Sequence, residues 1–131
     1  MAKLVDLEVY GQIYQVADIK KDYIMNIMQS AKLCPGISKI YLFGSCLEER
    51  CREESDVDIT VFGDLTDSRM LHRRDYRNFT MAVVGNIQKE MGEIQDYDIL
   101  YYHKKYENYD NLFFENVRNG IVIYDRELEK V

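Results

Sequence analysis

Gly44-Ser45 and, ten residues further on, Asp56-Val57-Asp58 are the residues of this chain whose types and spacing best suit chemistry. Strand side chains alternate faces, so Asp56, Asp58 and Thr60 are expected on one face and Val57, Ile59 and Val61 on the other. Two carboxylates held side by side repel each other unless a cation lies between them. Their ligand atoms are hard oxygens, and no Cys or His stands at ligand spacing, which favours Mg²⁺ or Mn²⁺ over zinc. A Gly-Ser turn entering a helical turn offers free backbone amides and a hydroxyl to a phosphate. Each half is common by itself, because most Asp pairs are solvated and most Gly-Ser steps are ordinary turns. Their combination, one hairpin apart, points to nucleotide chemistry.

The elements that must position these residues are legible around them. Ile40-Tyr41-Leu42-Phe43 is an apolar strand running into Gly44, and the strand as a whole is expected over about Lys39 to Phe43. Ser55-Asp56-Val57-Asp58 opens a second strand, Ile59-Thr60-Val61-Phe62, which Gly63-Asp64 ends. Upstream, Asp18 is placed to cap a helix running to about Leu33, with Ile19, Tyr23, Ile27 and Ala31 as its apolar stripe and Ile24 and Met28 beside it. Cys34-Pro35-Gly36 breaks that helix. Downstream, Tyr76, Thr80, Val83, Ile87 and Met91 keep a helical spacing within a helix expected over Asp67 to Met91, which Gly92 ends. A third strand, about Glu93 to Tyr102, and a helix, about Tyr109 to Asn119, burying Leu112, Phe113 and Val117, complete the pattern. Residues 4–16 fit neither period well, because Gly11 interrupts them; an extended arm or hairpin is as consistent as a helix. Strands interleaved with helices in this order predict an α+β fold, a small mixed β-sheet packed with helices.

The third strand carries two more carboxylates on one face, Asp96 and Asp98. Asp98 lies inside the apolar run and is the better third acid; Asp96 falls at the strand edge. Arg69, His72, Arg73, Arg74 and Arg77 read either as a solvated helix face or as a patch for phosphate, acidic protein or RNA. His103 has no partner at a recognisable spacing and reads as a surface residue. Of eleven tyrosines, Tyr97, Tyr101, Tyr102, Tyr106 and Tyr109 cluster around the third strand and its exit, where packing and a protein interface both suit an apolar ring with a polar tip.

Composition narrows the class. At 131 residues, 47% hydrophobic with a single proline, the chain suits one folded domain able to bury a core without staples. A net charge of −6 argues against broad nucleic-acid or anionic-membrane binding. Cys34, Cys46 and Cys51 are an odd set without metal-ligand spacing, and no secretory signal or membrane-length apolar run accompanies them. Reduced thiols in a cytoplasmic protein are the expectation.

Gly-Ser, ten residues and then Asp-x-Asp at a strand start resembles the signature of the polymerase-β-type nucleotidyltransferases. The length and the Ser-Asp-Val-Asp form are similar to the minimal nucleotidyltransferases of bacteria and archaea. The resemblance spans roughly Ile37 to Tyr124, including the closing Asn119-Gly120-Ile121-Val122-Ile123-Tyr124, within a single domain over residues 1–131. It implies that Gly44 and Ser45 hold the triphosphate of a nucleotide, ATP by expectation. It also implies that Asp56, Asp58 and Asp98 hold two Mg²⁺ ions, with Mn²⁺ as a substitute, and that Asp98 helps deprotonate an acceptor hydroxyl. In families this resembles, a stand-alone member often acts as antitoxin to a helical HEPN-domain ribonuclease and transfers AMP to its tyrosine. Transfer to a small molecule such as an aminoglycoside is an alternative, though those enzymes usually carry a further helical domain. The turn here carries Glu48 and Glu49, with Arg50 and Arg52 beside them. Negative charge near a triphosphate is unfavourable, which favours the remaining alternative, a non-catalytic subunit that neutralises its partner by contact. A homodimer is also compatible with the tyrosine-rich surface.

Overall fold

A computed structural model of the chain describes residues 2–64, 73–91 and 95–130, with residue 75 and residues 85–91 described in their backbone only. Its elements are β1 (Leu4–Val9), β2 (Gln12–Ala17), α1 (Lys21–Ala31), β3 (Ile37–Phe43), β4 (Val57–Gly63), α2 (Arg74–Met91), β5 (Tyr97–His103), α3 (Leu112–Arg118), β6 (Ile121–Asp125) and α4 (Arg126–Glu129). The ambiguity at residues 4–16 resolves as an antiparallel hairpin, β1 against β2, with Val9 opposite Gln12. Tyr10 at φ 49 and Gly11 at φ 81 form its tip. Two successive positive φ values give the twist a two-residue hairpin requires.

The main sheet has the order β5-β4-β3-β6. β3 pairs antiparallel with both β4 and β6, whereas β4 and β5 run parallel. The sheet is thus mixed, as the pattern of elements predicts, and both of its faces are covered. On one face Ile40, Leu42, Val57, Ile59 and Val61 pack with Tyr23, Ile24, Ile27 and Ala31 of α1 and with Tyr76, Phe79 and Val83 of α2. Leu7, Val9 and Val16 of the hairpin join this core. On the other face Tyr41 and Phe62 pack with Phe114 and Val117 of α3, ringed by Phe43, Tyr102, Tyr106 and Phe113. The tyrosines around β5 mostly serve this packing, with Tyr102 in edge or tilted contact with Phe62, Tyr106, Phe113 and Phe114. Tyr109, about half exposed, lies edge-on against Tyr106 and Phe114 at the margin of the same cluster.

Four local expectations need correction. Asp18 does not cap α1: it begins a 3-10 turn, Asp18–Lys20, and its carboxylate accepts from the amides of Lys3 and Ile19 at 3.2 and 2.8 Å. It therefore ties the start of β1 to the end of the hairpin. The strand bearing Asp58 begins at Val57, so Asp56 precedes it and is exposed, while Thr60 is fully buried. In α3 the carboxamide of Asn111 accepts from the Phe114 amide at 2.9 Å, so the helix starts at Leu112. That phase buries Phe114 and Val117 and leaves Leu112 73% exposed. His103 accepts the Lys105 amide at 3.0 Å on Nδ1 and caps the turn that follows β5. Of the basic cluster, Arg73, Arg74 and Arg77 are exposed, and Arg69 and His72 lie outside the described residues, as does the start of the helix expected from Asp67.

Candidate active site

Three stretches of backbone meet at the head of β4. The first is the 3-10 turn Gly44–Leu47 that continues β3. Gly44 has φ +82, and a Cβ there would lie 2.5 Å from Asp58 Oδ2. Glycine is required on both counts: a side chain would be strained in this conformation and would collide with the carboxylate. The backbone of the Gly-Ser turn is thereby held directly against an acid of the next strand. Behind it, the buried Cys46 Sγ donates to the carbonyl of Asp56 at 3.7 Å, coupling the turn to the acidic segment. Burial pushes the Cys46 thiol up to about 12, so it stays protonated and unreactive.

The second and third stretches are the starts of β4 and β5. Their parallel register sets Asp58 opposite Asp98, and Phe43 of β3 opposite Asp58 from the other side. Directly paired residues project to the same face, so the Asp58 and Asp98 side chains are neighbours on the face that also carries α3. The Val57 amide donates to the Asp96 carbonyl at 3.1 Å just before the pairing begins. Asp58 is half-buried and its carboxyl is raised from 3.8 to about 6, first by desolvation and then by the charges of Asp98 and Asp56. Loss of water and crowding by like charge both disfavour the ionised form.

Among the described residues no three His, Cys, Asp or Glu side chains are grouped so that they could by themselves hold a metal ion. The donor set nonetheless suits a hard cation. Mg²⁺ is usually held by one or two carboxylates, with substrate phosphates and water completing the shell. Asp58 and Asp98 are such a pair, against a glycine turn able to receive phosphate, and Asp56 stands two residues before Asp58. Beside Gly44 opens a cavity of about 410 Å³ walled by Phe43, Leu47 and Phe113, with Glu48 and Asn119 on its rim. A larger hollow of about 630 Å³, between Asp18 and the loop from Arg50 to Glu54, contains none of the candidate acids. Glu48, a poor neighbour for phosphate, is engaged by Arg50 Nε, and Arg52 lies 3.9 Å from Glu54.

Two polar residues absent from the sequence argument lie immediately behind these strands, Lys20 and Gln95, both almost fully buried. Lys20 does leave a trace in the sequence: it precedes Ile24, Ile27 and Ala31 on one helical face, where a lysine is out of place. Gln95 has no comparable signal. No helix among the described residues is long and apolar enough to cross a membrane. Compared with known proteins, the chain matches the family described as polymerase beta, nucleotidyltransferase over residues 22–129. No curated protein matches it.

Proposed function

The chain belongs to the polymerase beta nucleotidyltransferase family, and from that premise we propose that it transfers AMP from ATP to a hydroxyl, with a tyrosine of a helical partner protein as acceptor. The observation that carries this reading is the pairing of Asp58 with Asp98 on adjacent strands, with Gly44 against the Asp58 carboxylate. Asp58, Asp98 and Asp56 are the residues that would hold Mg²⁺, or Mn²⁺ in its place. Bound there, the metal would neutralise phosphate charge and lower the pKa of the acceptor hydroxyl. The rest is work for the chain itself. Gly44, lacking a side chain, lets the backbone approach the triphosphate, and Ser45 donates a hydrogen bond to it. The acceptor oxygen attacks the α-phosphorus in line, the bond to the bridging oxygen breaks, and pyrophosphate leaves. The acceptor proton passes to the Asp98 carboxylate, which as an exposed group can release it to water.

The setting that fits this chemistry is cytoplasmic, with the chain as the antitoxin half of a toxin pair. The test is incubation with labelled nucleoside triphosphates, Mg²⁺ and a co-purified partner, followed by intact mass. A partner gaining one or more AMP masses is the expected result. A partner left unmodified by a protein that binds MgATP would overturn the proposed acceptor and turn attention to small hydroxylated molecules. A second reading, a non-catalytic subunit that neutralises by contact, draws on Glu48 at the rim of the cavity beside Gly44. It predicts no Mg²⁺-dependent ATP binding. The Arg50 contact weakens it, because a paired Glu48 repels phosphate less.

A further inference from the structure

Behind the acidic face lies a buried polar network that the transfer chemistry does not use. Lys20 is 1% exposed and Gln95 3%. Lys20 Nζ donates to Gln95 Oε1 at 2.5 Å and to the Glu53 carbonyl at 2.8 Å. Gln95 Nε2 in turn donates to the carbonyls of Ser55 and Asp96 at 3.0 and 2.6 Å. The amide can sit only one way round, with its oxygen toward the ammonium and its nitrogen toward the two carbonyls. None of the ion pairs among the described residues involves Lys20. A buried cation held by two carbonyl oxygens and the face of the Tyr23 ring, 5.8 Å from its centroid, with no carboxylate partner among the described residues, is a costly way to fill space, and an apolar side chain of similar volume would serve stability as well.

What the network joins explains its cost. Glu53 and Ser55 belong to the segment that feeds Asp56 and Asp58 into β4. Gln95 and Asp96 lead Asp98 into β5. The contact of the Val57 amide with the Asp96 carbonyl is the first backbone bond between the two stretches, and it lies next to the clamp. Among the described residues β5 is an edge strand, paired on one side only, so its register against β4 needs an anchor. A slip of one residue would set Tyr97 or Ile99 opposite Asp58 and turn Asp98 to the other face. We propose that Lys20 and Gln95 are positioning residues: a buried clamp that fixes the register of β5 on β4 and so sets Asp58 and Asp98 side by side. Neither touches the reacting atoms. The clamp rests on the proposed function only where Mn²⁺ binding and kinetics are used to test it.

Three variants take the clamp apart. Gln95→Glu keeps an acceptor for Lys20 but loses both donors to the backbone. Gln95→Leu loses everything, and Lys20→Met removes the ammonium at nearly constant volume. The first readout is amide hydrogen exchange at Val57 against amides in the middle of β3. The expected result is exchange at Val57 faster by about tenfold or more, with β3 unchanged, because the opening is local. The second is Mn²⁺ affinity by electron paramagnetic resonance, expected to fall about ten- to a hundredfold, as for groups that orient metal ligands. In transfer assays kcat should drop about tenfold while half-saturation by ATP stays within about threefold. If Lys20→Met fails to fold, the two Gln95 variants decide. Unchanged exchange and Mn²⁺ affinity in folded Gln95 variants would overturn the clamp. So would faster exchange spread evenly over β3, β4 and β5, the sign of a general loss of stability. If the unaltered protein transfers nothing and binds no Mn²⁺, the transfer reading fails, and hydrogen exchange at Val57 still decides the clamp.

Discussion

Replacing Asp58 with asparagine should stabilise the metal-free protein at neutral pH while abolishing transfer. The carboxyl is raised from 3.8 to about 6 in the folded state, by desolvation first and by Asp98 and Asp56 next. Folded protein thus holds this proton more tightly than unfolded protein. As pH rises from 3.8 to about 6 the unfolded chain releases this proton while the folded state still holds it, and stability falls; above that window the full penalty is present, and below it there is none. At about 1.4 kcal/mol for each tenfold change in proton affinity, the ceiling is about 3 kcal/mol. Asp58 is only half-buried, and water screens much of that, leaving about 1 kcal/mol. For a domain of this size that is about 4 °C in Tm. Asparagine carries no charge and should lift the penalty. Thermal unfolding of both proteins in chelator should show a Tm gain for Asp58→Asn that is small at pH 4 and full at pH 7.5. Adding Mg²⁺ with ATP should reverse the order, because only the aspartate supplies a charged ligand. Transfer should fall about a thousandfold, equivalent to about 4 kcal/mol at the barrier. A gain equal at both pH values, or none, would show that Asp58 is not crowded by its neighbours. Near-normal transfer would remove it from the chemistry.

Gly44→Val should weaken MgATP binding sharply, since its Cβ would fall on Asp58 Oδ2, whereas the Arg73→Ala, Arg74→Ala pair should change it little; calorimetry distinguishes the two, and the reverse pattern would move the phosphate site to α2. Asp98→Asn should retain much of the nucleotide affinity yet lose most of the single-turnover rate, because an amide cannot accept the acceptor proton; Asp96→Asn, ahead of the paired register, should be mild. A dead Asp96→Asn with an active Asp98→Asn would exchange their roles. Gly120→Ala would drive its Cβ into the Leu42 carbonyl and the Phe43 side chain and should cost about 1–3 kcal/mol in urea unfolding, with the loss centred on the β3–β6 edge.

The parts of this molecule that could be read from the sequence are those where one local signal dominates. Alternation along 57–62, the Gly-Ser step after an apolar run and the Cys34-Pro35-Gly36 break all sit within a few residues of what they specify. Errors came where a local signal competed with a neighbour. Asp18 has the right chemistry for a cap, but the hairpin places Lys3 within its reach and takes its carboxylate. Leu112 has the right hydrophobicity for a core, but Asn111 fixes the helix start and turns it outward. The acid pair illustrates the deeper limit. Asp96 and Asp98 have the same alternation, and what separates them is which one falls opposite Asp58. The apolar run around Asp98 favours it locally, but the pairing itself is a property of a parallel register between segments some forty residues apart, bridged by a helix.

The same pairing explains why the rest of β4 is so apolar. The head of the strand concentrates unfavourable features: a desolvated carboxylate facing another and, one step further in, the Thr60 hydroxyl, buried with no hydrogen-bond partner among the described residues. An unmet buried hydroxyl costs about 1–3 kcal/mol, and the Asp58 charge adds about 1 kcal/mol. Val57, Ile59, Val61 and Phe62 are all completely buried, two faces of one strand filled at once. Each contributes about 1.5–3 kcal/mol on leaving water, so two of them already offset the strained end. A half-exposed strand could not carry this load, and an edge strand would let the acids drift apart. Placing β4 inside the sheet, with β3 bringing the glycine turn from one side and β5 the second acid from the other, holds two like charges together, an arrangement that a cation and a phosphate would complete under the proposed function.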